Sequence, residues 1–203
     1  MTTSNEILFS QEGRVGVITL NRERALNALT VGMVRALDAQ LRAWETDRGV
    51  KRIVIQGAGD KAFCAGGDIR QLYDWGLAMD PQFLDFYREE YLLNTYIKHY
   101  PKPYIALLDG IVMGGGVGVS VHGSHRIVTE ATTFAMPETG IGLFPEVGGT
   151  YFLPRCPGET GMYMGLTGAR LKAGDAVYAG VGTHFVPKQR LPDLKRALRA
   201  FDN

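Results

Sequence analysis

The sequence predicts an α/β fold in which short, mostly parallel strands alternate with helices. Apolar strand-like runs occupy residues 14–21, 51–59 and 104–110, with stretches of helical periodicity between them. Strands separated by helices favour parallel pairing through crossover connections. Two glycine clusters, FCAGGDIR at 63–70 and MGGGVG at 113–118, fall just after two of those runs. There is no clear linker, heptad or low-complexity segment, so 203 residues read as one domain, or one domain plus a fragment.

Taken in order, RVGVITLN (14–21) alternates and ends at a polar turn, as a strand does. TVGMVRALDAQLRAWETD (30–47) places Val31, Val34, Leu37, Leu41 and Trp44 at steps of three and four. This is a helix with one apolar face, and Thr30 is its expected N-cap. KRIVIQGAG (51–59) is a short buried strand ending in glycines. A second helix fills roughly 81–99, with Pro81 at its start and YPKP stopping it. YIALLDG (104–110), RIVTE (126–130) and TTFA (132–135) read as further strands, and LPDLKRALRAFDN (191–203) as the start of a helix.

Composition narrows the function. Hydrophobic residues make up 45% of the chain, enough for a core. A formal net charge of +1 gives no electrostatic case for a nucleic acid or an anionic membrane. Cys64 and Cys156 form neither a disulfide framework nor a zinc spacing, and no metal site is predicted. MTTSNEILFSQEGR lacks an apolar signal segment, and no run approaches the ~20 apolar residues of a membrane span. A soluble, cytoplasmic protein without a membrane partner is expected.

The glycine clusters sit where a strand ends and a helix begins. Unpaired backbone N–H groups there can hold an anion or a polarised oxygen, and glycine lets a ligand approach the backbone closely. Neither cluster has the G-x-G-x-x-G or P-loop pattern of a nucleotide site. Tight helix–sheet packing explains one such cluster, whereas two at equivalent strand ends fit a shared site that stabilises an oxyanion. Nearby, FAMPETGIGLFPEVGGTYF (134–152) sets Glu138 and Glu146 into an otherwise apolar, Gly- and Pro-rich run. Carboxylates in such surroundings need partners or shifted pKa values. Ser120 has no triad partners, Cys64 reads as a small buried packer, and His122 and His125 lack further metal ligands.

NRERALNALT, KAFCAGGDIR, KPYIALLDGIVMGGGVG and FAMPETGIGLFPEVGGTYFLPR resemble the crotonase (enoyl-CoA hydratase/isomerase) superfamily, from about residue 13 to 186. The pattern is most similar to its 3-hydroxyisobutyryl-CoA hydrolase branch. The resemblance implies a ββα-spiral core over 1–186 that binds acyl-CoA, with 187–203 beginning a C-terminal helical region otherwise absent. It implies that the N–H groups of Gly67 and Gly115 polarise a thioester carbonyl, and that Arg24, Ala25, Ala28, Ala65, Gly66, Asp68 and Ile69 contact CoA. Hydratases of the superfamily usually carry a glutamate two residues after GGG, where this chain has Gly118. Glu138 matches their other carboxylate. Glu146 stands where the hydrolases typically have Asp, and Glu90 matches a glutamate that shapes the acyl pocket.

The activity implied by this resemblance is hydrolysis of a short 3-hydroxyacyl-CoA, with 3-hydroxyisobutyryl-CoA of valine breakdown as the implied substrate. CoA is then part of the substrate, and no separate cofactor is expected. Glu138 would attack the carbonyl or activate water, and Glu146 would hold the 3-hydroxyl or assist water. The alternatives are a hydratase or isomerase of the superfamily, and a catalytically weak CoA-binding or assembly module. A homo-oligomer, most simply a trimer, is expected.

Overall fold

The computed structural model describes residues 5–201; residues 1–4 and 202–203, at the two ends of the chain, lie outside the described residues. The chain opens with a hairpin absent from the sequence reading. Strand β1 (Ile7–Glu12) runs antiparallel to β2 (Val15–Leu20), turning at Gly13, whose φ of +62° suits a residue without a Cβ. Helix α1 (Val31–Thr46) begins where expected, with the Thr30 hydroxyl accepting from Met33 N at 3.2 Å. Its buried face is Met33, Val34, Leu37, Leu41 and Trp44, with Val31 at the rim. Trp44 lies against β2. A Cβ at Gly16 would come within 2.8 Å of the indole, so glycine at that strand position is what admits the tryptophan.

The next part repeats one pattern. A strand of a large sheet leads into a strand of a small sheet, and a helix follows. β3 (Arg52–Gly57) leads to β4 (Ala62–Cys64), then to α2 (Ile69–Leu77) and α3 (Gln82–Lys98). β5 (Tyr104–Leu108) leads to β6 (Ile111–Met113) and α4 (Gly115–Val121). β7 (His125–Val128) leads to β8 (Thr133–Ala135). Among the described residues the large sheet has the order β1-β2-β3-β5-β7-β9, ending in the two-residue β9 (His184–Phe185), and the small sheet is β4-β6-β8. Between these strands every pairing except β1–β2 is parallel, and an isolated antiparallel bridge joins Phe134 of β8 to Leu171. The stacked ββα units are thus mostly parallel short strands with helices around them.

Helices α5 (Gly149–Phe152), α6 (Thr160–Thr167), α7 (Ala173–Tyr178) and α8 (Leu191–Ala200) complete the described chain. The main core fills the space between the two sheets and the helices. A second, smaller core lies on the other face of the large sheet. There Val15, Val54, Ile105, Leu107 and Ile127 meet Leu191, Leu194 and Leu198 of α8. The three leucines recur at steps of three and four, which puts them on one helical face. Arg52 fastens the end of α8 by donating to Leu198 O at 3.0 Å and Phe201 O at 2.8 Å.

Candidate active site

The two parallel sheets bring the glycine clusters together. Gly67 follows β4, and Gly115 is the first residue of α4 after β6. Leu29 donates to Gly66 O at 2.8 Å and accepts from Asp68 N at 2.9 Å. With both Leu29 groups taken by the residues flanking Gly67, the Gly67 N–H points away from Leu29. The Gly115 N–H is one of the donors left free at a helix start. Among the described residues no protein group accepts from either. The loops approach as closely as glycine permits: a Cβ at Gly115 would stand 3.2 Å from Gly67 N, and one at Gly116 only 2.3 Å from Cys64 O.

Three carboxylates converge on this point. Glu138 opens the short 3-10 helix Glu138–Ile141, and its Oε1 would lie 3.4 Å from a Cβ on Gly114. Glu90, on the buried face of α3, presses Oε1 against Gly115, 2.5 Å from where a Cβ would be. Glu146 follows Pro145 in the loop before α5. Gly67, Gly115, Glu90, Glu138 and Glu146 line a single cavity of about 90 Å³, together with Ala65, Gly66 and Ile69. Of the other predicted contacts, Arg24 and Ala25 are exposed on a short 3-10 turn, and Ala28 is half-buried. The Ala28 carbonyl accepts from Arg22 Nη1 at 2.7 Å. Asp68 caps α2 by accepting from Gln71 N, and pairs with Arg22 at 2.8 Å. Burial raises the Asp68 pKa, but Arg22 and the Gln71 N–H outweigh it and hold the carboxyl below its usual value.

The cavity carboxylates differ electrostatically. Glu138 is 4% exposed, and neither carboxylate oxygen has a partner among the described residues. Burial pushes its pKa to about 7, with the Glu146 charge adding to the rise and its own backbone N–H offsetting part of it. Burial holds the Glu146 pKa above its usual value, and the Tyr91 hydroxyl and the Val147 N–H, at 2.8 Å, offset only part of that rise. Glu90 is fully enclosed. Burial, then the charges of Glu146 and Glu138, push its pKa well up, which favours its neutral form. Such a set can hold one neutral acid, one group poised near neutrality and one hydrogen-bonded carboxylate around an oxyanion site.

Asn94 was absent from the sequence reading. It is 4% exposed on α3, one turn beyond Glu90, and both ends of its amide are unpartnered among the described residues. A Cβ at Gly118 would lie 2.8 Å from Asn94 Nδ2 and 2.8 Å from Val147 Cβ. A glutamate at 118, as in the hydratases this chain resembles, has no room beside Asn94. The readable signal was two polar residues, Glu90 and Asn94, inside the apolar stripe Phe86, Leu93 and Ile97. His122, 2.7 Å from Val147 O, braces the same loop. Among the described residues no three His, Cys, Asp or Glu side chains group to hold a metal ion, and no helix is long and apolar enough to cross a membrane.

Residues 15–203 match the enoyl-CoA hydratase/isomerase family, and the chain belongs to it. It is 57% identical to the mitochondrial 3-hydroxyisobutyryl-CoA hydrolase of Xenopus tropicalis over 96% of this chain and 51% of that protein. The crystal structure of an enoyl-CoA hydratase from Rhodobacter sphaeroides 2.4.1 is 50% identical, with a TM-score of 0.93 over 96% of this chain and 58% of the other. That of a carnitinyl-CoA dehydratase from Mycobacterium thermoresistibile is 46% identical, with a TM-score of 0.95 over 97% and 58%. The crotonase-like fold expected from the motifs is therefore the fold of this chain. The chain spans about half the length of the curated relatives it matches. Their names place them in mitochondria, so they give no support to the cytoplasmic expectation.

Proposed function

We propose that this chain carries the active site of an acyl-CoA thioester hydrolase acting on a short 3-hydroxyacyl-CoA, with 3-hydroxyisobutyryl-CoA as the substrate. The observation that carries the reading is the convergence of two free N–H donors, Gly67 and Gly115, on the cavity that holds the unpartnered carboxylate of Glu138. The thioester oxygen sits between the two N–H groups, which stabilise the negative charge it gains; one such donor is worth roughly 10²–10³ in rate. Glu138, stripped of partners, is the nucleophile. Its oxygen bonds to the acyl carbon, the C–S bond breaks, and the thiolate leaves with the electron pair and takes up a proton. Water then attacks the acyl carbon and returns the electron pair to Glu138. Glu146 receives the 3-hydroxyl and assists that water. The filled space at Gly118 supports hydrolysis over hydration, because it removes one of the two hydratase carboxylates.

Glu138 acts only when ionised. Its pKa of about 7 therefore predicts a rate of thiol release that rises roughly tenfold per pH unit below 7 and levels off above it. The test of the reading is a substrate series followed by thiol release. Glu146→Gln should slow both substrates, because the water loses its proton acceptor, and should slow a 3-hydroxyacyl-CoA by about tenfold or more beyond the acyl-CoA lacking the hydroxyl. Equal losses on both substrates would remove Glu146 from hydroxyl recognition.

A homo-oligomer, a trimer, is part of the same proposal. Ile141, Phe144, Met162 and Leu166 are all about 60% or more exposed, and such surfaces favour association. Sedimentation at micromolar concentration should show a species of three chains; a clean monomer would contradict it.

A further inference from the structure

Behind Glu146 lies a second cavity, of about 470 Å³, lined by Asn94, Tyr91, Lys98, His122 and Thr150 among others. Glu146 is the residue that lines both this cavity and the inner one. The outer cavity reaches solvent, since Thr150 and Tyr151 on its wall are exposed. Asn94 sits deep within it, with a buried donor and a buried acceptor that no protein group meets among the described residues. A buried amide with both ends unpartnered costs free energy unless something small and polar, able both to donate and to accept, completes it. Gly118, which lies against the Asn94 amide, has no side chain to meet it.

We propose that Asn94 and Glu146 together seat the hydrolytic water, and that this water enters through the outer cavity rather than by the route the thioester takes. This rests on the reading of Glu138 as the nucleophile. The balance of the second step is then complete. The water oxygen bonds to the acyl carbon, and the bond from that carbon to the Glu138 oxygen breaks with its electron pair on Glu138. One water proton passes to the Glu146 carboxylate and on to solvent through the outer cavity. The other stays on the new carboxyl group, which ionises. Asn94 accepts from the water through Oδ1 and donates to it through Nδ2, so that the lone pair turned to the acyl carbon is fixed. Entry from behind suits the sequence of events, because the departing thiol still fills the front route when the acyl group becomes ready for water. The Tyr91 hydroxyl and the Val147 N–H, at 2.8 Å, favour the ionised form of Glu146, which is the form that takes the proton.

Asn94 is a positioning residue for the second step alone, which separates it from any structural role. Rapid mixing of substrate with Asn94→Leu should still release one thiol per active site in a fast burst. Steady turnover should then fall by about 10- to 100-fold, with the acyl group accumulating on the peptide that contains Glu138, as read by mass spectrometry after acid quench. Thr150 lies on the exposed wall of the outer cavity and not on the inner one, so Thr150→Trp narrows the entry and should slow the same second step several-fold while sparing the burst. If burst and steady rate fall together in Asn94→Leu, or if neither changes in either variant, the water seat is wrong. If the wild type and Asn94→Leu hydrolyse thioester with no burst and no acyl mass on that peptide, it is the nucleophile reading that fails, and the proposal falls with it.

Discussion

Glu138→Gln will abolish thiol release, lowering turnover by at least about 10³-fold. The amide has nearly the same shape, so the cavity and the two glycine loops remain, but it has no carboxylate oxygen to attack the acyl carbon. A second effect runs the other way. The Glu138 pKa of about 7 in the folded chain lies above its value of 4.5 when unperturbed. The folded state therefore binds more protons than the unfolded state between those values. The stability this group contributes is present at acid pH and is lost as pH rises through about 7. Glutamine does not titrate. The variant should melt higher than wild type at pH 8, and the difference should shrink towards zero or change sign at pH 5. Thermal melts at the two pH values, beside a thiol assay at pH 8, read both effects on one sample. A variant keeping more than a tenth of wild-type turnover would remove Glu138 from the chemistry.

Gly116→Ala carries the second large effect, this time through the fold. The added methyl would stand 2.3 Å from Cys64 O and 2.8 Å from Cys64 Cβ. Most of that contact is backbone on backbone, with Cys64 in β4 and wholly buried, so no flexible side-chain end can yield. Helix α4 must move away from β4, at a cost of about 3 kcal/mol or more, the upper end for overpacking a core. The shift also parts Gly115 from Gly67. Activity should therefore drop by roughly 10²-fold even in the fraction that stays folded, as it does when an oxyanion donor is lost. Gly140→Ala is the control, because nothing lies within 4 Å of a Cβ there. Equal stability and turnover in the two variants would show that the α4–β4 contact does not set the position of the donors.

The legible parts of this fold are those with a repeating physical signal. Helix α1 announced itself through its spacing and its Thr30 cap, and β3 and β5 through short apolar runs. Strand β1 was hidden because ILFSQE reads as three apolar residues followed by three polar ones, although Ile7 and Phe9 turn inward while Leu8 and Ser10 are exposed. The strands β4 and β6 have three residues each, too few to show a period; their place is set by pairing with each other rather than by their own residues. At the site, Gly67, Gly115, Glu138 and Glu146 could be picked out because ordered motifs carry them. Asn94 had only a weaker signal, its place with Glu90 on the apolar stripe Phe86, Leu93 and Ile97, with no ordered motif to point to it. The two arginines of NRER look alike in sequence but part in the fold: Arg22 turns inward to Glu6, Ala28 and Asp68, while Arg24, expected to contact CoA, is exposed. A single 3-10 turn decides which of the two faces the protein.

Two readouts taken on one preparation test the central claim most directly: free thiol released from a short 3-hydroxyacyl-CoA, and loss of enoyl absorbance from crotonyl-CoA. A site with Gly118 and Asn94 where a second hydratase carboxylate would stand should release thiol, with enoyl absorbance falling at no more than about a hundredth of that rate. Glu138→Gln should silence the thiol signal. Rapid loss of enoyl absorbance with little or no thiol release would contradict the account and make this site a hydratase.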